Sequence, residues 1–154
     1  MKTLVVYYSR TGNTKKMGEL IAKELHADID EIIDHTDRSG IKGWIMGGRD
    51  AVKKSLTEIT VTKDPADYDL VIIGTPVWAG PATPAFRTYI AQYKNKIKKV
   101  ALFITSHVDG PKKAVDLLEN VLDKKCLASV GWTNAELNKG QIEPKLSDFV
   151  KMLS

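Results

Sequence analysis

Six residues near the start of the chain, Ser9-Arg10-Thr11-Gly12-Asn13-Thr14, hold three hydroxyls, a side-chain amide and a glycine. A strand-like run, Leu4 to Tyr8, precedes them and a helix-forming stretch follows. Donors clustered around a glycine at a strand-to-helix junction suit an anion rich in oxygen acceptors, above all a phosphate. The spacing is not that of a nucleoside triphosphate loop (Gly-x-x-x-x-Gly-Lys-Ser/Thr) or a dinucleotide loop (Gly-x-Gly-x-x-Gly). A plain turn into a helix needs one capping residue, for which Thr11 or Asn13 would serve. The cluster exceeds that need. Arg10 and Lys15 lie beside it, and the sequence alone does not orient them.

Two further stretches carry candidate chemistry. Gly74-Thr75-Pro76-Val77-Trp78-Ala79-Gly80-Pro81 is stiffened by prolines, and Gly80 permits close backbone approach. Trp78 stands in its middle, where an indole on a stiff loop can stack on a flat ring or fold back as packing. Thr105-Ser106-His107-Val108-Asp109-Gly110 offers small polar groups to the edge of a heterocycle. His107 can stack, donate a hydrogen bond, act on a substrate, or simply face solvent. Asp109 suits the N-cap of the next helix. Elsewhere the signals are weak. His26 and His35 lack metal-ligand spacing. Cys126 reads as an inert residue of an apolar strand, and Trp44 and Trp132 read as packing.

The elements that must position these loops alternate strand and helix from end to end. Strands are expected at Lys2–Tyr8, Asp28–Ile33, Leu70–Gly74, Val100–Thr105 and Cys126–Trp132. Helices are expected at Thr14–His26, Pro84–Tyr93 and Pro111–Leu122, with a last one marked by Leu146, Phe149, Val150 and Leu153. The third of these carries Ala114, Leu117, Leu118, Val121 and Leu122 as its inward face. Strands apolar on both faces between amphipathic helices predict an α/β fold: a doubly wound, five-stranded parallel sheet covered on both sides. In that class ligands sit beyond the carboxyl ends of the strands, where all three loops would emerge. Asp34 to Ala66 breaks the rhythm; Ile41, Trp44, Ile45, Val52 and Leu56 suggest that it holds a further helix.

The 154 residues suit one domain, 1–154. The single cysteine excludes an internal disulfide and fits a reducing, cytoplasmic setting. The apolar start is too short for a signal peptide, and no run is long enough for a membrane span. The net charge is +4, yet the lysines are scattered without interleaved aromatic residues, so nucleic acid is not an expected partner. The basic groups suit solvated surfaces or the steering of an acidic partner.

Taken together, the three loops resemble those of the flavodoxin-like family. Tyr8 to Thr14 is similar to its phosphate loop, with Thr11-Gly12-Asn13-Thr14 the most specific part, and Gly74 to Gly80 is similar to its ring-binding loop. The resemblance implies strand order 2-1-3-4-5 and non-covalent FMN. The phosphate would lie at Ser9, Arg10, Thr11, Gly12, Asn13 and Thr14. The ring would lie between Thr75, Pro76, Val77, Trp78, Ala79, Gly80 and Ser106, His107, Val108, Asp109, Gly110. It also implies a peptide near Ala79-Gly80 that turns its carbonyl toward flavin N5 on one-electron reduction. Two features depart from the family's dedicated electron carriers. The third loop has no tyrosine to stack on the ring, and the chain is basic where they are acidic, which predicts a less negative second reduction potential. The expected function is single-electron transfer between redox partner proteins, as a monomer or homodimer. An FMN-dependent NAD(P)H:quinone-type oxidoreductase is the alternative, and a binding module with little use of flavin is a third reading.

Overall fold

The computed structural model describes residues 1–36, 56–77, 82–107 and 111–154. Its strands are β1 (Thr3–Tyr7), β2 (Asp28–Glu31), β3 (Ile33–Asp34), β4 (Ile59–Thr60), β5 (Leu70–Val77), β6 (Lys99–Ser106) and β7 (Ser129–Thr133). Its helices are α1 (Asn13–Leu25), α2 (Pro84–Tyr93), α3 (Pro111–Leu122), α4 (Asn134–Asn138) and α5 (Lys145–Leu153). Short 3-10 turns occupy Pro65–Asp67 and Lys94–Lys96.

Two-sided burial explains the sheet. Leu4 and Val6 of β1 point into one core, with Val71, Ile73, Leu102 and Ile104. Val5 and Tyr7 point into the other, with Ile72, Ala101 and Phe103. Strands apolar on both faces must be covered on both, which is the condition for a parallel sheet. The order is β2-β1-β5-β6-β7, with every adjacent pair parallel. Counted among the parallel strands alone, this is 2-1-3-4-5. Phe86, Tyr89 and Ile90 of α2 and Leu118 and Leu122 of α3 cover the first face. Met17 and Ile21 of α1 and Leu146, Phe149 and Leu153 of α5 cover the second, joined by Trp132, whose indole N–H donates to the Ile142 carbonyl at 3.1 Å.

One contact sets how closely α1 lies on the sheet. Gly74 and Phe103 are register partners on β5 and β6. The Phe103 ring crosses the space a side chain at position 74 would fill: a Cβ there would sit 1.9 Å from Phe103 Cζ. The same ring reaches Gly18 of α1, where a Cβ would stand 3.3 Å from Cζ and 2.9 Å from Tyr7. Small residues on both elements let a large ring fill the layer between them. The start of α1 is thereby brought beside the carboxyl ends of β1 and β6.

Several elements differ from the sequence-based reading. The strand expected over Asp28–Ile33 stops at Glu31; Ile33–Asp34 peels away as β3 and pairs antiparallel with β4. The helix expected between Asp34 and Ala66 falls largely on residues 37–55, outside the described residues, as do Ile41, Trp44, Ile45 and Val52. Leu56 is exposed. Cys126 precedes β7 and is half-buried, because its backbone N–H is taken by Glu119 Oε1 at 2.8 Å and not by a strand partner. Leu117, expected to face inward from α3, is exposed. No described helix is long and apolar enough to cross a membrane.

Candidate functional site

The site starts at an open helix end. Gly12 has φ 98 and ψ −12, a left-handed conformation that glycine adopts without a Cβ penalty. It serves as the N-cap of α1 in place of Thr11 or Asn13, and no side chain caps the helix. The Gly12 carbonyl accepts from Lys16 N–H at 3.0 Å, and the Gly12 N–H donates to Ser9 Oγ at 3.2 Å. The first-turn N–H groups therefore have no side-chain cap, and with the positive end of the helix dipole they form an arrangement that suits an anion. The first turn also contains no acidic residue.

A cleft opens beside this end. Arg10, Thr11 and Asn13 line it from the first loop, Pro76 and Val77 from the end of β5, Thr105, Ser106 and His107 from β6 and the residue after it, and Asn134 from the start of α4. Described residues from each of the three expected stretches therefore line one cleft. Trp78, Ala79, Gly80, Val108, Asp109 and Gly110 lie outside the described residues. Two expected hydroxyls are turned inward. Thr14 is buried and its Oγ1 lies 2.8 Å from Thr105 Oγ1. Thr75 is fully buried; its hydroxyl donates to the Pro76 carbonyl at 3.1 Å and lies 3.1 Å from Thr83 Oγ1.

Asn134 is absent from the sequence-based set. Its Oδ1 accepts from Asn13 Nδ2 at 3.2 Å, and its Nδ2 lies 2.9 Å from His107 Nδ1. It therefore ties the first loop to the third. The position is held by a reciprocal cap. Thr133 Oγ1 accepts from Glu136 N–H at 3.1 Å, and Glu136 Oε2 accepts from Thr133 N–H at 2.8 Å. Lys145 Nζ donates to Glu136 Oε1 at 2.7 Å and to the Gly131 carbonyl at 3.0 Å. The Lys145 hydrogen bond, then the Thr133 N–H, hold the Glu136 carboxyl below its ordinary range. The spacing Thr133-x-x-Glu136 was the available sequence signal for a helix starting at Asn134.

Reactive groups lie elsewhere or are muted. Burial, reinforced by Glu119, pushes the Cys126 thiol up to about 12, so it is not a thiolate nucleophile. Burial, with Glu31 and Glu19 nearby, pushes the Tyr7 phenol up to about 12. Among the described residues no group of His, Cys, Asp and Glu is arranged to hold a metal ion. The cleft is built of hydrogen-bond donors, hydroxyls and small apolar surfaces. Such a set fits a ligand with an anionic, oxygen-rich end at α1 and a flat polar body against the ends of β5 and β6.

Comparison with known proteins places this architecture. A family model described as flavodoxin matches residues 2–153. Among solved structures, the chain is similar to a Lactobacillus acidophilus flavoprotein in complex with FMN, at 30% identity over 90% of this chain and 97% of that one, with TM-score 0.75. It is similar to the apo-form of the flavoprotein from the same organism, at 31% identity over 90% and 95%, with TM-score 0.66. It shares its fold with oxidised flavodoxin 2 from Bacillus cereus, at 20% identity over 99% and 97%, with TM-score 0.59. No curated protein matches the chain.

Proposed function

The chain belongs to the flavodoxin family, and on that premise we propose that it binds FMN non-covalently and carries single electrons between redox partner proteins. The observation that carries this reading is the open start of α1, which faces a cleft shared by the ends of β5, β6 and α4. The similar Lactobacillus acidophilus protein holds FMN, and the donor set here suits that ligand. The first-turn N–H groups of α1, with Ser9 and Thr11, would hold the phosphate. Pro76, Val77, Ser106 and His107 would border the ring. When bound, FMN supplies one- and two-electron redox chemistry; the chain supplies orientation, hydrogen bonds and charge.

The surroundings of the cleft favour an acidic partner. Lys15 and Lys16 are exposed on the first turn of α1, and Lys112 and Lys113 are exposed on the first turn of α3. Neither first turn carries an acidic residue. Positive charge at these two helix starts would steer an acidic redox protein, more strongly at low salt. The proposal is tested by anaerobic potentiometric titration of the FMN-loaded protein. Two resolved one-electron steps are expected, and a single two-electron step would contradict a carrier. The exposed His107 at the cleft favours a second reading, a two-electron reductase. Steady turnover of NADH or NADPH with a quinone would establish it.

A further inference from the structure

We propose that Asn134 is a positioning residue that fixes the tautomer of His107, so that the third loop offers the cleft an imidazole Nε2–H donor. The inference deepens the reading of the cleft as an FMN site and rests on it only for the identity of the ligand.

Hydrogen-bond polarity runs one way through three side chains. The amine Nδ2 of Asn13 can only donate, and Asn134 turns Oδ1 toward it at 3.2 Å. The remaining group of Asn134, its amine Nδ2, then faces His107 Nδ1 at 2.9 Å. An amine offers no lone pair, so Nδ1 accepts and carries no proton. In the neutral ring the proton therefore sits on Nε2. Asn134 is not free to swivel its backbone, because it opens α4 immediately after the Thr133–Glu136 cap, which Lys145 also holds. His107 is exposed and lines the cleft, so Nε2–H is the polar group its ring has left for a ligand. A donor there suits an acceptor edge of a heterocycle and favours negative charge on it. Because Asn13 belongs to the loop at the open helix end, the arrangement of that loop and the protonated nitrogen of His107 are linked through one amide.

The test uses the full-length, ligand-free, 15N-labelled protein at alkaline pH. Long-range 1H–15N spectra report which ring nitrogen is protonated, and loss of signals in His107→Gln separates His107 from His26 and His35. In the wild type the proton lies on Nε2. Asn134→Asp presents only acceptors to His107, so the proton moves to Nδ1. Asn13→Asp makes Asn134 turn its amine toward position 13 and its Oδ1 toward His107, which moves the proton to Nδ1 at one remove. A wild-type Nδ1 proton, or an Nε2 proton retained in either variant, overturns the relay. In a parallel titration, Asn134→Asp raises the FMN dissociation constant about three- to tenfold, the weight of one hydrogen bond. An unchanged constant would remove the donor role. A wild type that binds no FMN would refute the cofactor and leave the tautomer result standing.

Discussion

Helices α1 and α2 both begin where a parallel strand ends at the carboxyl edge of the sheet, yet their first turns are treated in opposite ways. At α2, Thr83 Oγ1 accepts from Phe86 N–H at 3.3 Å, Pro84 opens the helix, and the Thr83 hydroxyl is backed by Thr75. Thr83 and Thr75 are fully buried. At α1, Gly12 takes the N-cap position without a capping side chain, and Thr11 and Gly12 are exposed. The same element of fold is thus closed by the protein at one position and left open at the other. A closed end contributes to stability; an open one capped by glycine forgoes only about a few tenths of a kcal/mol and leaves its donors without a side-chain cap. The contrast supports the proposed anion site more sharply than the number of hydroxyls in the loop does, because two of the expected hydroxyls, Thr14 and Thr75, lie against other buried hydroxyls.

The contrast can be broken from the α1 side. Thr11→Glu puts a carboxylate in front of the open helix end and so closes it from within the chain. A unit charge pair at about 4 Å near a protein surface is worth about 4 kcal/mol. FMN affinity measured by fluorescence quenching should therefore fall at least about a hundredfold, while the melting temperature of the ligand-free protein holds or rises. Retained affinity would place the phosphate elsewhere. The complementary change is Thr83→Ala. It removes the cap of α2 and should cost about 0.5–2 kcal/mol of stability, read from urea unfolding. FMN affinity should change less than about threefold, below the weight of a single hydrogen bond to a charged group. A variant that lost FMN binding but not stability would reverse the assignment of the two ends.

A smaller effect is expected at the third capped helix, α4. Glu136 is held below its ordinary carboxylate range, mainly by Lys145. A depressed folded-state value means that this contribution is fully present above the unfolded value of about 4.5 and is lost as pH falls through the lower folded one. It should be under about 1 kcal/mol, because the pair is partly solvated. In Glu136→Gln the acid-side loss should be correspondingly shallower, since glutamine keeps the cap but does not titrate. Identical acid limbs in the two proteins would show that Glu136 carries none of it.

Much of this was legible in the residues, and the misses have physical causes. Pro84 and Pro111 mark their helix starts because proline suits a first turn, and both helices run over the expected bounds. The doubly wound parallel sheet followed from strands apolar on both faces, whereas its order was what the family resemblance implied. The break between β2 and β3 was not legible, because apolar β-branched residues continue at Ile32 and Ile33 while the backbone changes partner. Leu117 sits at helical spacing with the α3 core residues yet lands beyond the edge of the buried stripe. Thr14 has the right chemistry for a phosphate, but direction is a tertiary property, and β6 places Thr105 within its reach. Asn134 was missed because the loop after the last strand carries no ligand-like cluster; its role arises only when α4 brings it between Asn13 and His107.

The most direct test compares FMN with riboflavin, which shares the ring and lacks the phosphate, by calorimetry on the ligand-free protein. If the open end of α1 receives the phosphate, riboflavin binds at least about a hundredfold more weakly, the weight of two hydrogen bonds to a charged group. Equal affinities would mean that the ring alone is recognised, and would contradict the assignment of this helix end as the anion site.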